Sequence, residues 1–434
     1  MQSSPGRSTV FYGWRVVAVC SLIMLFAGGI PYFGFTAVFE SIANEFGWSY
    51  TQISLAASIR GLETGLLAPV VGLLVDRWGP RKMVFGGCVI MGLGLIFLSR
   101  INSLGMFYAA FVLIAMGISA TGHAAMMAAV ANWFRKRVAL ATGIMASGAA
   151  LGGLMIPVVV VLIDMFQWRT AMLILGFATW VICLPLSLLV RDRPEKYGCL
   201  PDGEQLSIVP VSEETPGARS PQVHIPAVQV PSTGSGQALK QRAFWHIALA
   251  LTFQLMAVSA VITHVMPYFS SIGVSRAVST LIATALPVAS IFGRLSFGWL
   301  GDRFDKKRVS AVGFALTGLG MLFFGAIAGG GAWLLAPFLV FFSTGWGGNV
   351  TMRAALVREY FGREKFGTIH GLTLAVMTVG NIAGAPFVGW VFDKWHSYQG
   401  AWFGMAALSA LAVLAVVTTP RPATVPDHEA HRGR

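Results

Sequence analysis

Apolar residues fall into twelve long runs separated by short polar segments. They lie near 14–39, 51–75, 83–100, 106–130, 139–163 and 170–190, then near 244–271, 278–300, 309–328, 332–357, 367–392 and 398–418. A helix needs about 20 apolar residues to cross the hydrocarbon of a bilayer, and in lipid a helix satisfies its own backbone. The pattern therefore predicts an all-α integral membrane protein of twelve transmembrane helices. One longer polar stretch, Arg191 to Ala243, is rich in Pro, Ser, Gly and charge, a composition that cannot bury a core. It divides the chain into a six-helix half (1–190), a linker (191–243), a second six-helix half (244–418) and a tail (419–434).

The basic residues are not spread evenly between those runs. The termini and every second connection hold 24 of the 31 Lys and Arg residues; only Arg100, Arg169, Arg276 and Lys394 fall on the opposite side, and Arg60, Arg294 and Arg353 lie inside runs. Cytoplasmic loops carry the excess of Lys and Arg, so both termini are predicted to be cytoplasmic, with the protein multi-pass in the inner or plasma membrane. The first apolar run is far longer than a signal-peptide core and ends without a small-residue cleavage site, which makes it a retained span.

The two halves repeat one another. Gly72 to Lys82 (GLLVDRWGPRK) recurs as Gly298 to Arg308 (GWLGDRFDKKR), so that Asp76 maps onto Asp302 and Arg77 onto Arg303 at an offset of 226. Further along, Phe134 matches Phe361, Gly143 matches Gly371, Pro157 matches Pro386, Asp164 matches Asp393 and Ala171 matches Ala401, at offsets of 227 to 230. Two membrane repeats related by an axis along the bilayer normal place a substrate site between them near the midplane.

Composition narrows the class. The chain is 55% hydrophobic and 11% charged, which excludes an ordinary soluble protein. Its net charge of +13 comes in small clusters between apolar runs, not in the continuous stripe that nucleic acid requires. Cys20, Cys88, Cys183 and Cys199 are scattered without paired spacing, so neither a disulfide framework nor a metal site is implied. No GxSxG, HExxH, Walker or CxxC motif is present; the sequence reads as neither an enzyme nor a cofactor binder.

The repeated loop resembles the signature of the major facilitator superfamily between its second and third spans. Three further stretches narrow the likeness: Phe33-Gly34-Phe35 with Glu45-Phe46-Gly47-Trp48-Ser49, Trp133-Phe134-Arg135-Lys136-Arg137, and Ala139-Leu140-Ala141-Thr142-Gly143 followed by Gly148, Gly152 and Gly153. Together they are similar to the monocarboxylate transporter family and its bacterial relatives of the oxalate:formate antiporter group, over most of both halves. The likeness implies twelve helices, alternating access and a small organic anion as substrate, with a proton as a possible partner.

Candidate residues follow from charge placed deep in the membrane. Arg294 lies eight residues before Asp302, about 12 Å up a helix at 1.5 Å per residue. A guanidinium near mid-membrane costs on the order of 2.5–3.5 kcal/mol on insertion scales and presents a planar fork matched to a carboxylate. The family likeness implies that it binds the substrate's carboxylate; a structural ion pair is the other reading. Animal members carry an aspartate one turn earlier, implicated in proton coupling, where this chain has Ser290, which joins the candidate substrate contacts. The second cation that oxalate transporters draw from the eleventh span is absent from 371–392, although His370 begins that run. A single central charge favours a monoanion.

His123 sits ten residues before Trp133, about 15 Å deep, as a hydrogen-bonding partner or proton carrier, or as a packing residue. Gly122 maps onto Asn349, so Asn349 and nearby Trp346 are candidate walls of the same cavity. Arg60 and Glu63 share a helix face as a gate or ion pair, with Glu63 also a candidate proton carrier. Asp76, Arg77, Asp302 and Arg303 are candidate latches, because an aspartate at a helix C-terminus seeks an arginine or a helix N-terminus; Arg353 snorkels or latches the inner gate. Gly148 and Gly152, one turn apart, allow close helix approach, and prolines 31, 69, 157, 267, 287, 337 and 386 are expected to interrupt helices.

The function expected is secondary active transport of a lactate- or pyruvate-like monocarboxylate with a proton. The alternatives are anion exchange of the oxalate:formate type, multidrug efflux, which a central arginine disfavours, and a non-transporting membrane sensor.

Overall fold

The computed structural model describes residues 11–134, 137–191, 194, 239–361 and 366–420, with the side chains at 60, 62–69, 72, 76, 123–124, 138–139 and 366–367 outside that description. All secondary structure among the described residues is helical. The first part of the chain forms α1 (Tyr12–Gly28), α2 (Phe35–Phe46), α3 (Tyr50–Trp78), α4 (Pro80–Leu98), α5 (Leu104–Ala120), α6 (His123–Trp133), α7 (Val138–Leu151) and α8 (Met155–Leu189). The second part forms α9 (Arg242–Ser271), α10 (Arg276–Arg303), α11 (Lys306–Gly330), α12 (Leu335–Phe361), α13 (Phe366–Trp395) and α14 (Gln399–Val417). Most of the linker and the tail lie outside the described residues.

Nine stretches among the described residues are long and apolar enough to cross a membrane. One of them, Leu140–Leu189, runs for 50 residues but turns at Gln167, where φ is 64° and ψ 159°. The predicted fourth run is broken between α5 and α6 at Thr121 and Gly122. Proline behaves less disruptively than expected. Pro31 lies in a single π-helical stretch, Gly29–Phe33, closed by Gly34 N–H donating to Gly29 C=O at 2.8 Å, while α9, α10 and α13 run straight through Pro267, Pro287 and Pro386. A proline costs one backbone bond and a local clash, and packed neighbours hold the remaining turns.

The repeated loop folds alike in both copies by different capping chemistry. Gly79 adopts φ 85°, open to glycine but costly for other residues, and Pro80 fills the first position of α4, where its missing N–H is not needed. At the equivalent point Asp305 caps α11 by accepting from Arg308 N–H at 2.8 Å, an ordinary N-cap. At the other end of the molecule Gly47 closes α2 with φ 65°, and Ser49 and Gln52 form a capping box that starts α3.

Glycine pairs draw the helices of each half together, as their spacing predicts. A side chain at Gly148 would overlap the Ser21 carbonyl of α1, and one at Gly152 would come within 2.8 Å of Gly29 N. The second half repeats the device with Gly380 against the Thr252 carbonyl and Gly384 against the Met256 carbonyl. Burial separates the two ends. At the end carrying the repeated loops no cluster spans both halves: Val16, Cys20, Trp133 and Phe134 belong to a cluster of the first half, and Phe244, Ile247, Val357 and Phe361, with a smaller group at Phe297, Val309 and Met352, to clusters of the second. At the far end a single cluster joins both, with Phe39, Phe107 and Phe111 alongside Tyr268, Phe324 and Trp402.

Candidate functional site

The site is built on the contact between α10 and α12, which run parallel. Gly293 lies against the Thr344 carbonyl, and a Cβ at Gly347 would overlap the Ser290 carbonyl oxygen and come 3.0 Å from Arg294 N. One turn further, Thr351 Oγ1 donates to Arg294 C=O at 3.2 Å. Small residues bring these backbones into contact, so the turn carrying Arg294 is fixed by its neighbour.

Contacts across the molecule identify the faces of α10 and α12 that look toward the first half. Gly153 lies against the ring of Pro287 and would place a Cβ 3.0 Å from the Thr284 carbonyl. Trp346 meets Phe33, presented by the π-helical stretch of the first span, with ring centroids 6.4 Å apart at 63°. Seven residues return a helix to within about 20° of the same face. Arg294 therefore lies below Pro287, and Arg353 below Trp346, both facing the first half. Arg294 Nε is buried without a hydrogen-bond partner, and among the described residues no carboxylate pairs with either arginine. The ion-pair reading of Arg294 is thus not realised by any described residue.

The two arginines are not independent. Arg353 lies within the field of Arg294, and His370 within that of Arg353. In the parallel register of α10 and α12, Arg353 is about six residues, or about 9 Å of helical rise, nearer the repeated-loop end. Arg353, expected at the inner gate, is thus offset from Arg294 toward the repeated-loop end while still within its electrostatic reach.

Other candidates separate. Ser290 is fully buried, its hydroxyl donates to Pro287 C=O at 2.6 Å, and it sits in the helix contact. Asn349 is buried too, but its amide lies over Gly313 of α11 and beside Phe297, with both Oδ1 and Nδ2 unpartnered. It faces the neighbouring helix instead of the first half, because Asn349 and Trp346 are three positions apart and the face turns by about 60°. The side chains of His123, Arg60, Glu63 and Asp76 lie outside the described residues; the backbone of His123 opens α6 just after the break at Gly122. Arg77 and Asp302 are exposed, and Arg303 stacks on Trp299 at 4.1 Å.

Residues that the sequence did not single out gather at the far end. His264, fully buried, meets Ser54 Oγ and Ala385 C=O at 2.9 Å each through Nε2, and Tyr398 Oη at 3.2 Å through Nδ1. Ser58 Oγ donates to Ile382 C=O, and Met266 N–H to Thr36 Oγ1. The Ser54–His264, Ser58–Ile382 and Thr36–Met266 hydrogen bonds, and those of Asp393, join the two halves between the far end and the middle. Polar contacts at the repeated-loop end, such as Lys306 with Glu359 at 3.0 Å and Trp133 Nε1 with Arg191 C=O at 2.9 Å, stay within a half.

The family model described as Major Facilitator Superfamily matches residues 17–273 and 265–434. The chain belongs to the Major Facilitator Superfamily. This facilitator is 28% identical over 429 residues to monocarboxylate transporter 12 of Xenopus laevis, covering 94% of this chain and 89% of that protein. It is 22% identical over 387 residues to the oxalate:formate antiporter of Oxalobacter formigenes, covering 87% and 85%. Its fold matches the crystal structure of a bacterial homolog to the human lysosomal transporter Spinster, with a TM-score of 0.67, 16% identity, and 95% and 96% of the two chains covered. It is a multi-pass membrane transporter of helical fold, as the apolar runs and the repeated loop imply.

Proposed function

We propose that this facilitator carries a small organic monocarboxylate, of the lactate or pyruvate kind, together with a proton, by alternating access. Twelve crossings in two six-helix halves, joined by the 191–243 linker and with both termini cytoplasmic, rock about a site at Arg294. The observation that carries the proposal is the buried, unpartnered Nε of Arg294 on the face of α10 that looks toward the first half. An unmet guanidinium in a low-dielectric setting is costly, and a carboxylate matches its fork. Trp346 and Phe33 supply the apolar wall across from it. The names of the relatives support a carboxylate substrate, and the shared far-end core supports a carrier closed on that side.

Neutralising the site lets the halves reorient, since a net charge is expensive to move through low dielectric. Uptake of labelled L-lactate into proteoliposomes, with and without an inward proton gradient, tests the reading; uptake that ignores the gradient removes the proton. Exchange of anions is the second reading, favoured by the position of Arg353 within the field of Arg294: two cations are better neutralised by a dianion. Stimulation of uptake by internal oxalate or formate distinguishes it.

A further inference from the structure

At the far end each half contributes an aspartate that meets the first turn of a helix in the other half. Asp393, near the end of α13, accepts from the N–H groups of Tyr50 at 2.9 Å and Thr51 at 2.8 Å, and from the Thr51 hydroxyl at 2.5 Å. Those are the first two residues of α3, whose N–H groups have no partner within the helix and form the positive end of its dipole. Asp164, in α8, pairs through Oδ1 with Nε of Arg276, the first residue of α10, at 3.0 Å. Arg276 is also within the field of Glu40 of α2.

These four positions are two matched pairs of the internal repeat. Asp164 and Asp393 are 229 residues apart, and Tyr50 and Arg276 are 226 apart. Three residues beyond each aspartate the chain makes the same unusual turn, with φ 64° at Gln167 and 50° at His396. One half therefore offers backbone donors where the other offers a guanidinium, and each meets an aspartate at the equivalent position of the opposite half.

We propose that Asp164 and Asp393 are paired clasps of the far gate, positioning residues that set the balance between the two access states. Both contacts are made when the carrier is closed at that end, and both break when it opens there. The inference rests on the alternating-access reading above. Neither aspartate contacts substrate.

The test uses the full chain in proteoliposomes, with Cys199→Ser so that only the buried Cys20, Cys88 and Cys183 remain, and spin labels at the exposed positions Asn44 and Ser397, one in each half. Losing the three contacts of Asp393 is a shift of roughly tenfold or more in the open-to-closed ratio, and losing the exposed Asp164–Arg276 pair a smaller one, up to about fivefold. Asp393→Asn is expected to raise a longer-distance population about tenfold and Asp164→Asn up to about fivefold, the double variant by their product, and Asp393→Glu to restore most of the short distance. Where Asp393→Asn does not fold, Arg276→Gln and Thr51→Val test the same contacts from the other side. An unchanged distance distribution in folded double variants overturns the clasps. Counterflow by the unlabelled parent keeps the two ideas apart: normal counterflow with unresponsive distances sinks only the clasps, whereas absent counterflow sinks the carrier reading itself.

Discussion

Gly347→Ala is the sharpest structural test of how Arg294 is held. A methyl group there would overlap the Ser290 carbonyl oxygen, and it would come 2.8 Å from the Ser290 carbonyl carbon and 3.0 Å from Arg294 N. Backbone cannot rotate away as a side chain can, so α10 and α12 must separate. Overpacking of this kind costs about 1–3 kcal/mol, and it falls on the turn that carries Arg294. A displacement of about 1 Å at a binding group costs on the order of 100-fold in rate. The matched control is Gly298→Ala on the same helix pair, where the nearest atom is Thr351 Cγ2 at 3.8 Å and the gain in helix propensity is about 0.5–1 kcal/mol. Thermal unfolding in detergent and carboxylate uptake in proteoliposomes are measured for both. Gly347→Ala should unfold earlier and lose most uptake, with Gly298→Ala at least as stable as the parent and active. Uptake by Gly347→Ala within about twofold of the parent would refute the claim that this contact sets the position of Arg294.

Three further substitutions separate roles within the site. Asn349→Leu removes a buried amide whose two polar atoms lack partners; relieving that burial, worth about 1–3 kcal/mol, should raise the unfolding midpoint and leave uptake intact, and lost uptake in a folded variant would return Asn349 to the substrate site. Arg353→Gln removes a charge about 9 Å from Arg294 along the helices, worth about 1.8 kcal/mol at an effective dielectric of about 20, so inhibition of uptake by a dianion such as oxalate should weaken about 20-fold while that by a monoanion changes less; equal weakening of both would show that Arg353 does not distinguish charge. Trp346→Ala deletes the ring facing Phe33, and the loss of an aromatic pair worth about 0.5–1.5 kcal/mol should raise the half-saturating substrate concentration up to about tenfold, with Trp346→Phe close to the parent.

The membrane architecture could be read from the chain because its causes are local. Apolar runs of bilayer length, the glycine pair at Gly148 and Gly152, and the charged loop repeated at 226 residues all leave a signal within a few turns. Arg294 was readable for the same reason, since a charge in an apolar run is conspicuous and its depth follows from helical rise. Residues defined by which helix lies beside them were less visible. Asn349 and Trp346 are three positions apart, and only the seating of α12 between α10 and α11 decides which one looks toward the first half. Ser290 and Arg294 are one turn apart, yet the Gly347 contact buries one and leaves the other to the interior. Nothing in the helix of Arg353 connects it to Arg294, and Ser290 enters the candidate site only through likeness to relatives, whereas its hydroxyl bonds within its own helix.

The far end was hardest to foresee. His264 had no signal of its own, and its partners Ser54, Ala385 and Tyr398 come from three separate stretches. Asp164 and Asp393 were visible as a repeat pair, but a repeat marks equivalence and not contact. The missing clue was their joint alignment with Tyr50 and Arg276, which becomes meaningful once α13 is known to pack on α3.

The central claim is that Arg294 binds the carboxylate of a transported anion. The direct measurement is counterflow of radiolabelled L-lactate in proteoliposomes containing the parent protein, Arg294→Lys or Arg294→Ala, each checked for folding by thermal unfolding. Arg294→Ala should abolish counterflow in a folded protein, and Arg294→Lys should keep the charge but lose the two-pronged contact, retaining a small fraction of it. Counterflow by Arg294→Ala at the parent's rate would contradict the account.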